Sequence, residues 1–272
     1  MSINPVGIVG DGERLAIIAI CNLDVVQNKP YATHLQFAFR LARDNPEFQF
    51  ILYTPYRMTI ANFRNMAAIS ALESGAEYLM FIDDDAVLIN NSGIFKYLKD
   101  KIDNDDNKHI IMPVVYVRGY PFNPMFFKFV TDEEAKTDGK LVDFYTDFKD
   151  VKADEKGLLE VAAIGCHTCL IKTEIFKALE KPYFLTGMNH TEDVYFCLKC
   201  RDYIENIGIY VDTTSCIGHL LDPIWVDDLN VKLLREFYEK MGLSDQFNLK
   251  EHFSQPDTLE RQLNSAGEEF QK

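Results

Sequence analysis

The sequence has no apolar run long enough to cross a bilayer. Its N-terminal apolar stretch, Leu15 to Cys21, falls far short of the roughly 20 residues that a membrane-spanning helix needs. No basic segment precedes that stretch, so it does not read as a secretory leader, and a cytoplasmic protein is expected. Positive charge is scarce: 28 Lys and Arg stand against 42 Asp and Glu, a formal net charge of −14. Such a surface repels phosphate backbones and disfavours non-specific nucleic-acid binding, although a local basic groove stays compatible with it. Internal repeats and low-complexity tracts are absent too. What is present is ordinary globular composition, 47% hydrophobic and 26% charged, which argues against disorder for the bulk of the chain. At 272 residues there is room for one large α/β domain or two small ones with a sizeable core.

The six cysteines include two Cys-x-x-Cys pairs, Cys166/Cys169 and Cys197/Cys200. The spacing invites a zinc site, but the surroundings argue for core. The first pair enters the apolar run Cys169-Leu170-Ile171. The second shares a helical face with Val194, and cysteine is among the most buried residue types.

Leu15 to Cys21 is continuously apolar, as in a strand buried on both faces of a parallel sheet. A helix is expected over about Tyr31 to Arg43, with Leu35, Phe39 and Ala42 at helical spacing and Pro46 beyond it. A strand follows at Phe48 to Tyr53. Next comes a helix capped by Thr59, with Phe63, Met66, Ala67 and Ser70 on one side, closed by Gly75. Tyr78 to Ile82 is a second buried strand. The first half therefore reads β-α-β-α-β, a doubly wound, nucleotide-binding arrangement. A short helix (about Ser92 to Ile102) and a strand (Ile110 to Val117) continue it. Residues 118 to about 157 break the pattern and are rich in aromatics, among them Tyr120, Phe122, Phe126, Phe127, Phe129, Phe144, Tyr145 and Phe148. These suit a mixture of core and sugar-stacking platform. Beyond them the pattern predicts two strands about a tight Gly165 turn (Glu160 to Ile171) and a helix from Thr173. A helix over Glu192 to Ile207 ended by Gly208, a strand at Ile209 to Val211 and an amphipathic helix over Val226 to Met241 follow. The last presents Leu229, Leu233, Phe237 and Met241 in register. Gly7-Ile-Val-Gly10-Asp-Gly12 lacks the spacing of a phosphate loop and reads as a flexible lead-in.

The chemistry concentrates where Tyr78 to Ile82 runs into Asp83-Asp84-Asp85. Three like charges at the rim of a core are costly unless a cation neutralises them. In open α/β sheets, ligands bind outside the carboxyl ends of strands. Oxygen ligands there suit Mg²⁺ or Mn²⁺, with substrate phosphates completing the shell. The plainer alternative is a solvated acidic turn.

Phe81-Ile82-Asp83-Asp84-Asp85 resembles the DxD motif of GT-A glycosyltransferases of the family-2-like type, as found in small stand-alone bacterial or viral enzymes. Arg64-Asn65 and Ala71-Leu-Glu-Ser-Gly75 are similar to that family's run-up to the motif. Ala163-Ile-Gly-Cys-His-Thr-Cys-Leu-Ile171 is similar to its glycine-centred acceptor-side turn, Thr191-Glu192-Asp193-Val194 resembles its "ED" motif, and His219 its third metal ligand. The match covers roughly residues 14 to 220. The resemblance implies a GT-A fold in a single catalytic domain over 1–243. A nucleotide-binding half lies at about 14–117 and an acceptor-side half at about 118–243, with a polar tail over 244–272. It implies a nucleotide-diphosphate sugar donor, UDP-sugar favoured, with Mn²⁺ or Mg²⁺, and an acceptor hydroxyl on a glycan, lipid, small molecule or modified nucleobase.

On this resemblance Asp85 ligates the metal, Asp83 contacts it through water or holds the ribose, and His219 completes the ligands. Asn22, Asp24 and Asp84 lie at the nucleotide. Arg64 contacts base or phosphate, or is an exposed helix cation. Asp193, with Glu192, becomes the general base toward the acceptor, where the plainer reading is a helix-capping pair. His219 alone would pass for a structural histidine. Gly165, His167 and Arg118 fall on the acceptor side. His167 reads equally as a surface turn histidine, and Arg118 follows a strand where it can bind phosphate. Retention or inversion of the anomeric centre stays open.

Three rival classes share some of these features. An apolar strand followed by Asp83-x-Asp85-x-Val87 also matches the first motif of haloacid-dehalogenase-like phosphatases. Those enzymes place this strand near the start of the chain, and here two β-α units precede it. A non-catalytic nucleotide-sugar-binding protein would need neither Asp193 nor His219. A nucleotidyltransferase would carry a glycine-rich loop after the first strand, and Asn22-Leu-Asp-Val is not one.

Overall fold

The computed structural model describes residues 7–21, 27–54, 58–103, 108–130, 142–146, 153–187, 190–221 and 224–242. Along the chain run β1 (Gly7–Val9), β2 (Arg14–Cys21), α1 (Asn28–Asp44), β3 (Phe48–Tyr53), α2 (Ile60–Ser74), β4 (Tyr78–Asp83), β5 (Ala86–Val87) and α3 (Ile94–Ile102). Then follow β6 (Lys108–Val114), β7 (Phe126–Phe129), β8 (Val142–Phe144), β9 (Leu158–Glu160), β10 (Ala163–Ile164), β11 (Thr168–Lys172) and a 3-10 turn (Thr173–Ala178). The last elements are α4 (Glu192–Tyr203), β12 (Gly208–Cys216), β13 (Gly218–Leu221), β14 (Ile224–Val226) and α5 (Val231–Lys240).

The eight-stranded central sheet has the order β1-β3-β2-β4-β11-β6-β12-β9. The pairings make β2, β3, β4, β6 and β12 run one way, with β1, β11 and β9 against them. This is the expected α/β architecture, a mostly parallel sheet flanked by helices. Ala16 to Ala19 and Leu79 to Ile82 are essentially inaccessible, as two-sided burial of central strands requires. Two three-stranded sheets, β10-β7-β8 and β14-β13-β5, are attached to it.

Local signals explain most boundaries. Thr59 accepts a hydrogen bond from the Asn62 amide at the start of α2, and Gly75 closes the helix in the left-handed region at φ 73°. The N-terminal glycine segment is not a lead-in, however. β1 pairs antiparallel with β3, and a Cβ on Gly12 would lie 2.1 Å from the Glu47 carbonyl carbon, so glycine is required by close backbone approach.

Several expectations shift. In α1 the buried stripe is Thr33, His34, Phe37 and Leu41, while Leu35 and Phe39 face outward. The stretch from Thr173 is a 3-10 turn. α4 stops at Tyr203, and Gly208 opens β12 instead of ending a helix. Residues 224–226 form a strand, so the last helix begins only at Val231, and Leu229, Leu233, Phe237 and Met241 are exposed. Among the aromatics, Phe122 and Phe126 are core, whereas Phe129 is exposed; Phe148 lies outside the described residues. Cys166, Cys169, Cys197 and Cys200 are buried free thiols, in line with core packing. No helix among the described residues is long and apolar enough to cross a membrane.

Candidate metal and catalytic site

β4 carries apolar residues to its end and releases the chain at Asp83. Three backbone hydrogen bonds fix the acidic turn: Asp83 N–H to His167 O (2.8 Å), Asp84 N–H to Cys21 O (3.0 Å) and Leu220 N–H to Asp85 O (3.0 Å). The antiparallel course of β11 is decisive here. Because Thr168 pairs with Ile82, the residue entering β11, His167, arrives beside the residues leaving β4. β5 then pairs with β13 so that Ala86 faces His219. Two histidines far apart in sequence thus reach Asp85.

The ligand atoms of Asp85, His167 and His219 lie within 4.8 Å of one another. His167 Nε2 is 3.3 Å from Asp85 Oδ1, and His219 Nε2 is 3.2 Å from Asp85 Oδ2. The two imidazoles are themselves in contact, with ring centroids 4.5 Å apart. His219 Nδ1 sits 2.8 Å from the Tyr116 carbonyl oxygen. A carbonyl only accepts, so Nδ1 carries the proton and Nε2 is the nitrogen turned toward Asp85. His167 Nε2 is a buried nitrogen with no hydrogen-bond partner. Burial and the neighbouring His219 push His167 down to about 4, against the pull of Asp85, so it is neutral and able to ligate near neutral pH. Burial opposes ionisation of Asp85, but the imidazoles of His167 and His219 beside it outweigh that and hold the carboxyl well below its usual range. The donor set fits a divalent cation. Two imidazoles with one carboxylate suit a first-row transition ion better than Mg²⁺, which prefers oxygen alone. The carbonyl that orients His219 is the outer-shell partner such ligands carry.

A second cluster is organised by Arg64. This residue is almost fully buried, at 2% exposure, so the exposed-cation reading is corrected. Its guanidinium bonds Glu192 at 2.6 Å, Asp83 at 3.3 Å and the Cys166 carbonyl at 3.2 Å, with Asp193 at 3.8 Å. Asp83, expected at the metal, is thereby turned to Arg64. Burial pushes the Asp83 carboxyl up to about 8 against the opposing pull of Arg64, with the Asp85 charge adding to the rise. Glu192 is likewise raised by burial and by the adjacent Asp193, again against Arg64.

Glu192 and Asp193 open α4, where the helix dipole favours carboxylates. Asp193 Oδ2 accepts from the Cys166 amide at 3.2 Å, and its Oδ1 accepts from the Thr191 hydroxyl and the Val194 amide. Gly165 makes room for Met125: a Cβ there would stand 2.8 Å from Met125 Cε and 3.2 Å from Met125 Cβ, while Asp193 Oδ2, at 3.4 Å, would be in ordinary contact. Arg118, exposed and beyond β6, places Nη1 3.0 Å from Asp85 Oδ2.

The structure thus gathers Asp83, Asp85, Arg64, Arg118, Gly165, His167, Glu192, Asp193 and His219 into one region, with Asp84 in the same turn. Asn22 and Asp24 lie outside the described residues. His167 is not a surface histidine: it is 1% exposed and faces Asp85. Sequence reasoning missed Thr33 and His34 as supports. Thr33 Oγ1 accepts from the Leu88 amide, and His34 Nε2 lies 2.9 Å from the Ala86 carbonyl, bracing the segment after the aspartates. No local signal marks either one beyond its place on the inward face of α1.

No protein-family model and no curated protein matches this chain. Among solved structures, A197 from STIV is similar over 76% of this chain and 85% of its own, at 18% identity and a TM-score of 0.48. GalNAc-T7, crystallised with UDP, GalNAc and Mn²⁺, is similar over 76% of this chain, at 12% identity and a TM-score of 0.43; this chain spans only 43% of that protein. A CMP:2-keto-3-deoxy-manno-octonic acid synthetase complexed with CTP is similar over 84% of this chain and 100% of its own, at 10% identity and a TM-score of 0.44. At such identities and scores these likenesses decide nothing about chemistry, which rests on this chain's own residues.

Proposed function

We propose that the chain is a metal-dependent glycosyltransferase that moves a hexosyl or pentosyl group from a nucleotide-diphosphate sugar to an acceptor hydroxyl. The observation that carries this reading is the convergence of Asp85, His167 and His219 at the carboxyl end of β4, next to a carboxylate pair at a helix N-terminus. Asp85, His167 and His219 would hold Mn²⁺. Bound there, the ion supplies Lewis-acid neutralisation of the departing diphosphate. Asp193 takes the proton of the acceptor hydroxyl. Its orientation is held by the Cys166 amide and the Thr191 hydroxyl. Arg64 and Glu192 hold Asp193 in place and take no part in bond making. UDP-sugars are the favoured donors, and the turn at Gly165 borders the acceptor side.

The arrangement favours a transferase over a haloacid-dehalogenase-like phosphatase. That chemistry needs Asp83 as a free nucleophile, and here one Asp83 oxygen is engaged by Arg64.

The test is thermal stabilisation by nucleoside diphosphates and nucleotide-sugars with Mn²⁺, with Mg²⁺ and with EDTA. A ligand that binds only the native state raises the melting temperature, by about 2.7 kcal/mol of stability at a hundredfold excess over Kd. The expected result is a Mn²⁺-dependent shift with one nucleoside diphosphate, lost in Asp85→Asn and His219→Gln. No shift with any of them, together with metal-dependent phosphate release from simple monoesters, overturns the proposal.

A further inference from the structure

Arg118 occupies an unusual position. Its side chain is 57% exposed, yet its guanidinium lies against Asp85 Oδ2, the same oxygen that faces His219 Nε2. A cation ligated by Asp85 and His219 must therefore compete with a side-chain cation for one carboxylate oxygen. Arg64 cannot relieve the conflict, because it is buried and already bonded to Glu192, Asp83 and the Cys166 carbonyl. Among the described residues, Arg118 is the guanidinium beside Asp85 that has solvent to move into.

Resting on the glycosyltransferase reading above, we infer that Arg118 is an exchangeable counter-charge. It holds Asp85 while no divalent cation is present, gives up the carboxylate when one binds, and carries its charge to the diphosphate of the donor. A guanidinium suits both tasks, since its planar fork matches carboxylate and phosphate oxygens alike. The exchange spares Asp85 from facing His167 and His219 without any cation. It also supplies positive charge where the leaving diphosphate develops more negative charge. Arg118 thus weakens binding of the metal alone and strengthens binding of the metal with diphosphate.

These opposite signs make the inference testable without turnover. Mn²⁺ binding to the full chain is measured from the loss of the free-ion electron paramagnetic resonance signal. Inorganic pyrophosphate, a probe independent of the nucleotide base, is then titrated calorimetrically at saturating Mn²⁺. Arg118→Gln is expected to bind Mn²⁺ alone about three- to fivefold more tightly, the scale of a partly exposed ion pair. The same variant is expected to bind pyrophosphate about tenfold more weakly, the scale of a charge-assisted hydrogen bond. Arg118→Lys, which keeps the charge, is expected to hold Mn²⁺ within about twofold of the parent. Unchanged or weaker Mn²⁺ binding in Arg118→Gln overturns the inference, and so does pyrophosphate binding that is unaffected. Failure of the parent chain to bind Mn²⁺ at all overturns the underlying site reading instead, so the two failures are distinguishable.

Discussion

Replacing Arg64 with Met keeps an unbranched stem but removes the guanidinium and its charge. The guanidinium faces carboxylate oxygens at 2.6, 3.3 and 3.8 Å. At an effective dielectric constant near 20, a pair of unit charges about 4 Å apart attracts by roughly 4 kcal/mol. Most of that attraction offsets the desolvation of Arg64 and is not net stability. The substitution leaves Glu192, Asp83 and Asp193 crowded in a buried site without their shared counter-charge. Loss of one partner of such a buried pair costs about 3–5 kcal/mol, which is the expected loss in urea unfolding with EDTA present.

The pH dependence separates this from a packing effect. With Arg64 in place, burial already raises Glu192 and lifts Asp83 to about 8; without it both rise further. A carboxyl whose pKa is raised on folding binds its proton more readily in the folded state. Its penalty is therefore full above the folded pKa and disappears as pH falls through it. The deficit of Arg64→Met relative to the parent should accordingly shrink on acidification from about pH 10 to about pH 8, the interval between the variant's higher Asp83 pKa and the parent's. A loss below about 1 kcal/mol, or a deficit that stays level or grows on acidification, refutes the reasoning.

Three further outcomes are expected. Asp193→Asn should leave Mn²⁺-dependent nucleoside diphosphate binding intact while sugar transfer slows by about 10²- to 10⁴-fold, and a rate within tenfold of the parent removes Asp193 as the base. Gly165→Ala should cost about 1 kcal/mol in urea unfolding, because the new Cβ meets Met125 Cβ at 3.2 Å as well as its flexible Cε at 2.8 Å; Met125→Ala in the same chain should restore part of the loss. His34 is lowered below the ordinary histidine range by burial, against its hydrogen bond to the Ala86 carbonyl, so the unfolded chain binds the proton more readily. Its contribution is present above about pH 6.5 and is lost on acidification below that. The parent's melting temperature should therefore fall relative to that of His34→Gln between about pH 7.5 and about pH 5.5.

What could be read from the sequence was what is encoded locally. β2 and β4 follow from continuous apolar runs, and the ends of α2 from Thr59 and Gly75, because burial on two faces and helix capping act over a few residues. The acidic turn after β4 is equally local. His167 was not legible as a buried residue beside Asp85. Gly165-Cys-His-Thr has the composition of a surface turn, and burial comes from β11 running antiparallel between β4 and β6, a pairing no short pattern encodes. The apolar residues on either side, Ala163-Ile164 and Cys169-Leu-Ile171, were the available hint. Arg64 failed for the same reason, since its nearest carboxylate is 128 residues away in sequence. In α1, two stripes both contain apolar residues, and spacing alone cannot choose between Leu35 with Phe39 and Phe37 with Leu41.

The site gathers what the rest of the sheet excludes. β2 and β4 carry apolar side chains at every fully buried position, whereas their carboxyl ends meet Asp83, Asp84, Asp85, Glu192 and Asp193 with, among the described residues, Arg64 and Arg118 as the guanidiniums bonded there. Surplus buried charge lowers stability, so its retention here argues for a bound cation. The two arginines divide the task between them. Arg64 is buried and committed, fixing the helix that carries Asp193 to the turn that carries Asp83. Arg118 is exposed and holds a carboxylate that a metal can claim. On the proposed reading, one permanent and one exchangeable counter-charge let the proposed base, Asp193, stay rigid while the ligand's charge arrives and leaves.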